Sequence, residues 1–203
     1  PYRLDSTTTV NLTILGGSQG ASILGSLVPD AIAMLEEPLR QRLHIHQQAR
    51  PEQSNLLQKR YADLGVTAQL RPFFSDVPQL LGNSHLVICR AGASSVAELA
   101  AIGRPALLLP LPNAMDDHQR VNALQMQDVG GGICLDETSV SAAALATRLI
   151  QLLDAPKTLS QMAKSARSLA SPDAAKLIAA LAEHLVGLST SKPTGPKPTG
   201  ASA

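Results

Sequence analysis

Val10-Asn11-Leu12-Thr13-Ile14-Leu15-Gly16-Gly17-Ser18-Gln19-Gly20-Ala21 is an apolar run of β type that breaks into a glycine-rich turn and opens a run of helical period, Ala21 to Leu35. The same device recurs further on. His85 to Arg90 is a second β-type run, Gly92-Ala93-Ser94-Ser95 is the turn, and Glu98 stands one turn into the next helix. Turns of this kind point backbone N–H groups out of a helix N-terminus, where the partial positive charge favours a phosphate. A carboxylate one turn further along can take a ribose diol. Together the two turns predict a site for a nucleoside diphosphate conjugate.

Working outward from them, short β-branched or Leu-rich runs alternate with helical segments. The remaining strands are expected over Leu43 to Gln47, Thr67 to Arg71, Ala106 to Leu109 and Gly132 to Leu135. Further helices are expected over Pro51 to Leu64, Val77 to Leu81, Ser95 to Ile102, Gln119 to Gln127 and Ala142 to Leu153. This alternation argues for an α/β fold, a parallel sheet with helices on both faces. Ligands in such sheets bind beyond the carboxyl ends of the strands, where both glycine turns fall. After Leu153 only helices follow, Thr158 to Leu169 and Ala174 to Leu188, with Ser171-Pro172-Asp173 reading as the start of the second. Residues 1–9 read as a linker from a preceding domain and 10–188 as one domain, the second half of a larger enzyme. The Ser, Thr, Pro, Gly and Lys tail over 189–203 is expected to be disordered.

Composition narrows the function. With 203 residues, 44% of them hydrophobic, the chain suffices for one well-buried domain. A net charge of +1 with interleaved signs offers no basic stripe, which argues against a nucleic-acid partner. Aromatic residues are 2% and Trp is absent, so a bound sugar must be read mainly by hydrogen bonds. Cys89 and Cys134 sit in or beside apolar runs with no CxxC and no His cluster, which points to buried free thiols in a reducing compartment. No apolar run approaches the ~18 to 20 residues of a spanning helix.

Residue by residue, plainer readings stand beside these. Gly16 to Ala21 alone could be only a tight βα turn. Ser95-Val96-Ala97-Glu98 fits a Ser-x-x-Glu capping box, and spacing alone favours that cap. Arg90 ends an apolar strand and could anchor a carboxylate such as Asp76, or a helix end. Gln119 and Asn122, three apart on one helix face, could be a solvated polar face, and His118 a helix-start residue without a ligand.

Taken in order, Gly16 to Ala21, Asp76 after Pro72-Phe73-Phe74, Cys89-Arg90-Ala91-Gly92-Ala93-Ser94-Ser95-Val96-Ala97-Glu98, Pro110-Leu111-Pro112, Asp116-Asp117-His118-Gln119 with Asn122, and Pro172-Asp173-Ala174-Ala175 form a longer pattern. It resembles the MurG family of peptidoglycan N-acetylglucosaminyltransferases, over the family's C-terminal half. The resemblance implies a GT-B glycosyltransferase of two Rossmann-like domains. This half would hold UDP-GlcNAc, with Gly17, Ser18 and Gln19 toward the diphosphate or sugar and the Phe74 backbone reading uracil. Arg90 belongs to the same donor set. Gly92, Ala93, Ser94, Ser95, Val96 and Ala97 would contact phosphate and ribose, with Glu98 on the ribose hydroxyls. Gln119 would read the GlcNAc hydroxyls, supported by His118 and Asn122. The partners implied are UDP-GlcNAc, lipid I through the other half, and the cytoplasmic face of the plasma (inner) membrane as a peripheral contact. Alternatives are a GT-B transferase using another UDP-sugar, or a non-catalytic nucleotide-sugar-binding partner. Two departures matter: Phe74 stands for a commoner aliphatic residue, and His46-Gln47-Gln48-Ala49 replaces His-Gln-Ser/Thr-Gly.

In such a transfer negative charge grows on the leaving UDP while the sugar becomes cation-like, so donors aimed at the diphosphate lower the barrier. Helix N-termini can serve without a metal or other cofactor, and no Asp-x-Asp pair is present, although Asp116-Asp117 and Asp76 could be mistaken for one. An inverting displacement needs a base. His46, His85 and His118 are the histidines with local context, but the resemblance implies that the base lies in the other domain, so none is assigned here.

Overall fold

The computed structural model describes residues 2, 4, 9–17, 22–112, 117–170, 179 and 182. Two compact units divide the chain at Ala170. In the first, six strands form one all-parallel sheet: β1 (Val10–Leu15), β2 (Leu43–Gln48), β3 (Thr67–Arg71), β4 (Leu86–Cys89), β5 (Ala106–Leu108) and β6 (Gly132–Cys134). Their order is β3-β2-β1-β4-β5-β6. The helices are α1 (Leu24–Ala33), α2 (Glu37–Gln41), α3 (Pro51–Asp63), α4 (Val77–Asn83), α5 (Ala93–Ile102), α6 (His118–Asp128), α7 (Ala142–Leu153) and α8 (Pro156–Ser168). In the second unit Ala179 and Ala182 are helical. The rest of the helix expected over 174–188, the tail 189–203 and most of the linker 1–9 lie outside the described residues.

Parallel sheets need cover on both faces, and side-chain alternation supplies it. Leu12, Ile14, Ile45, Leu86, Ile88 and Leu107 turn into one apolar cluster with α1, α3 and α7. Val87, Cys89, Ala106 and Leu108 turn into a second with α4, α5 and α6. Helix α8 joins both, with Leu159 and Met162 in the first and Ala166 in the second. The Rossmann-like architecture read from the sequence is thus observed.

Local differences have local causes. Helix α1 starts at Leu24, after a turn at Ser22 and Ile23, rather than at Ala21. Helix α2 was not anticipated: it is five residues long and buries none of them, so no apolar period marks it. Arg40 justifies its place by donating to the Ala33 and Leu35 carbonyls at the end of α1. Close approach governs Gly131, where a Cβ would lie 2.6 Å from Ala166 Cα and 2.7 Å from Ala166 N. Gly82, inside α4, has open space instead.

Gly131→Ala should therefore cost about 1–3 kcal/mol through overpacking against a backbone that cannot yield. Gly82→Ala should be neutral or stabilise by up to about 1 kcal/mol. Urea unfolding midpoints compare the two; equal midpoints would refute the packing argument. Both thiols should resist alkylation. Burial, and secondarily the Glu98 carboxylate, push the Cys89 thiol up to about 12, and burial raises that of Cys134. Mass spectrometry after iodoacetamide at neutral pH should find half-buried Cys134 labelled first and Cys89 only on global unfolding.

Candidate functional site

Sheet order places the site. Winding runs outward from β1 through β2 to β3 on one side, and from β4 through β5 to β6 on the other, so direction reverses between β1 and β4. The turns that leave these two strands diverge to opposite faces and open a crevice at their carboxyl ends. Both glycine turns stand there. Leu15 is in register with Cys89, and the Arg90 N–H donates to the Leu15 carbonyl at 3.4 Å.

Across that junction the fit is close. Gly16 is buried, and Gly17 takes φ +77°, a left-handed conformation suited to glycine. A Cβ on Gly17 would lie 3.9 Å from Arg90 Cγ, so the Arg90 side chain runs beneath the first turn. Arg90 is 9% exposed, donates to the Leu109 and Pro110 carbonyls, and pairs with Glu137. Its anchor is thus Glu137, from the segment after β6, and not Asp76. Asp76 instead caps α4, accepting from the Gln79 N–H at 2.9 Å. Arg90 therefore buttresses the site floor.

The second turn delivers α5 directly. Gly92 is its N-cap, with φ −62° and ψ 152°, and no side-chain hydrogen bond caps it among the described residues. The first turn contains no acidic residue. The capping box is consequently absent: helix begins at Ala93, which puts Ser95 at its third position and Glu98 at its sixth. Ala93, Ser94 and Ala97 are exposed, and Ser95, Val96 and Glu98 half-buried. An uncapped helix start with neutral, small side chains can receive an anion.

The N-terminal part of α6 forms a further wall. Asn122 Nδ2 donates to the Ala91 carbonyl at 3.0 Å, tying this helix to the second turn. Gln119 Oε1 accepts from the Leu111 N–H at 3.0 Å, tying it to the segment after β5. Both side chains are half-buried and engaged, not a solvated face. His118 is the first helical residue, and Asp117 before it holds φ +52°, sparsely populated for a non-glycine residue. Residues 18–21 and 113–116, with Ser18, Gln19 and Asp116 among them, lie outside the described residues.

At the third strand end, Phe74 is buried while Phe73 is 71% exposed. Two of the histidines sit elsewhere. His85 precedes β4 at the amino end of the strands, away from the glycine turns, where its Nδ1 accepts from the Asn11 N–H. His46 lies within β2, with Nδ1 3.0 Å from the Gln69 amide, whose preferred orientation accepts Arg71 through its oxygen. Sequence reading missed Glu137 and the contacts of Gln48, whose side chain reaches the Gly16 N–H. No local signal marks Glu137, and the departure at His46-Gln47-Gln48-Ala49 marks that segment without naming its partners.

The family description "Glycosyltransferase family 28 C-terminal domain" matches residues 11–178. The UDP-N-acetylglucosamine–N-acetylmuramyl-(pentapeptide) pyrophosphoryl-undecaprenol N-acetylglucosamine transferase of Rhodospirillum rubrum is 48% identical over 179 residues, covering 86% of this chain and 46% of that protein. The enzyme of the same name from Paramagnetospirillum magneticum is also 48% identical, covering 88% and 47%. The chain thus spans about half the length of the curated relatives it matches. The crystal structure of Acinetobacter baumannii MurG superposes with a TM-score of 0.78 at 33% identity, over 93% of this chain and 54% of that one. A UDP-N-acetylglucosamine 2-epimerase described as putative, from Listeria monocytogenes, shares the fold at 17% identity and a TM-score of 0.66, over 93% and 48%.

Breaking the pair beneath the first turn should be costly. Arg90 and Glu137 side chains are 11% and 17% exposed, so Glu137→Ala leaves a largely buried guanidinium without its carboxylate and should destabilise by about 3 kcal/mol. Removing both charges, in Arg90→Met with Glu137→Leu, should recover most of the loss in denaturant unfolding. A double variant no more stable than Glu137→Ala would contradict this.

Proposed function

Because this chain belongs to the glycosyltransferase family 28 C-terminal domains, we propose that it is the donor-binding half of an inverting N-acetylglucosaminyltransferase of peptidoglycan synthesis. The enzyme moves GlcNAc from UDP-GlcNAc to undecaprenyl-pyrophosphoryl-MurNAc-pentapeptide, lipid I. One observation carries the reading: two glycine turns, one opening directly into an uncapped helix, meet at the sheet's switch point.

In this reading the pyrophosphate lies over the start of α5, where the amides of Ala93, Ser94 and Ser95 face charge as it grows on the departing UDP. Fixed amides strengthen their interaction as the glycosidic bond breaks and need no reorganisation. Ser18 and Gln19 complete the diphosphate side. Glu98, one and a half turns into α5, takes the ribose hydroxyls. The Phe74 backbone reads uracil while its buried ring holds the loop in place. Gln119 presents its Nε2 amide to the GlcNAc hydroxyls, since its Oε1 is engaged with the Leu111 N–H. Asn122 and His118 support that wall. The base that takes the acceptor proton, the lipid I site and the peripheral contact with the cytoplasmic membrane face belong to the other half. Among the described residues no helix is long and apolar enough to cross a membrane.

Titration calorimetry with UDP-GlcNAc, UDP-GalNAc and UDP tests the reading. Binding of all three is expected, with UDP-GlcNAc preferred over UDP-GalNAc; no uridine nucleotide binding at millimolar ligand by the folded chain would defeat it. Glu98→Ala should weaken UDP about tenfold, in line with charge-assisted hydrogen bonds of about 1.5–3 kcal/mol. The analogue lacking the ribose diol should lose far less. Equal losses would remove Glu98 from the ribose.

A further inference from the structure

At its carboxyl end β2 places one side chain between its two neighbours. Leu43, Ile45 and Gln47 point into the core, where Gln47 donates to the Leu24 carbonyl and accepts from the Tyr61 hydroxyl. His44, His46 and Gln48 point to the other face. There Gln48 Oε1 accepts from the Gly16 N–H at 3.1 Å, and Gln48 Nε2 donates to the Pro72 carbonyl at 3.2 Å. A single amide thus clasps the ends of β1, β2 and β3.

The chemistry of the clasp is selective. One partner is a donor and the other an acceptor, so the side chain must both accept and donate. A carboxylate would satisfy Gly16 and oppose the Pro72 carbonyl; an alkyl chain would satisfy neither. Gly16 is buried, so its N–H has no ready replacement in solvent. Beyond Gly16 the chain enters the left-handed turn at Gly17, and beyond Pro72 it reaches Phe73 and Phe74.

We infer that Gln48 is a positioning residue that sets the separation between the phosphate turn after β1 and the base-reading loop after β3. The inference rests on the donor-site reading above. With the Gly16 N–H held by Gln48, that amide serves the scaffold and not the ligand. A ligand bearing both base and pyrophosphate must match two loops at once, and a pre-set distance removes the ordering cost of binding it. A ligand that fills one pocket does not depend on that distance. Gln48 therefore acts on recognition of the intact nucleoside diphosphate more than on either fragment.

The test compares the 203-residue wild-type chain with Gln48→Leu and Gln48→Glu. UDP and uridine are titrated by calorimetry, and hydrogen exchange is followed without ligand in peptides covering 13–17 and 70–76. Both substitutions should speed exchange in the two segments together, weaken UDP about tenfold and weaken uridine less than about threefold. Unchanged UDP affinity, equal losses for the two ligands, or faster exchange in only one segment would overturn the inference and leave the donor reading intact. Faster exchange throughout the chain in both variants would reduce Gln48 to a structural clamp and overturn it too. A folded wild type that binds neither ligand would overturn both readings.

Discussion

Everything at the site depends on the reversal of winding between β1 and β4. Neighbouring parallel strands pursued in one direction would send their connections to the same face and close over the sheet edge. Reversal sends them apart and leaves the carboxyl ends of the two central strands uncovered. Leu15 beside Cys89 then sets the two glycine turns at the ends of adjacent strands, with the Arg90 side chain beneath Gly17. Each turn alone is a common device; their placement on adjacent strands is what the proposed pyrophosphate site rests on.

Around that junction the molecule spends its polar side chains on holding backbone in place. Arg90 fixes the floor through two carbonyls and Glu137, and Asn122 ties α6 to the second turn. Gln119 fastens the same helix to the segment after β5, and Gln48 joins the first turn to the loop before Phe74. Among the described residues the start of α5 is left without a side-chain cap. This division suits the proposed chemistry, since fixed dipoles stabilise developing charge without reorienting. It also means that a residue that looks like a ligand contact in the sequence can serve as scaffold, as with the Gln119 Oε1 on the Leu111 N–H.

The apolar clusters give this arrangement its stiffness. Buried branched side chains on both faces of β4 leave that strand little freedom, and the turn that follows it inherits the constraint. Strain at Asp117 marks where the α6 wall begins, beside the crevice rather than within the core.

By itself the sequence determined the alternation of six strands with helices, the two glycine turns and the residues gathered near them, because apolar period and turn chemistry are written within about ten consecutive residues. Family membership was legible for the same reason, in ordered blocks of local pattern. Only the tertiary structure decided that α5 starts at Ala93 and forms no capping box, since the helix boundary follows from how β4 exits the sheet. Only it chose Glu137 over Asp76 for Arg90, 47 residues along the chain, and gave Gln48 its partners 32 and 24 residues away. Such pairs are set by strand order and register, and hydrogen bonds between distant segments leave no periodic trace in the chain that makes them.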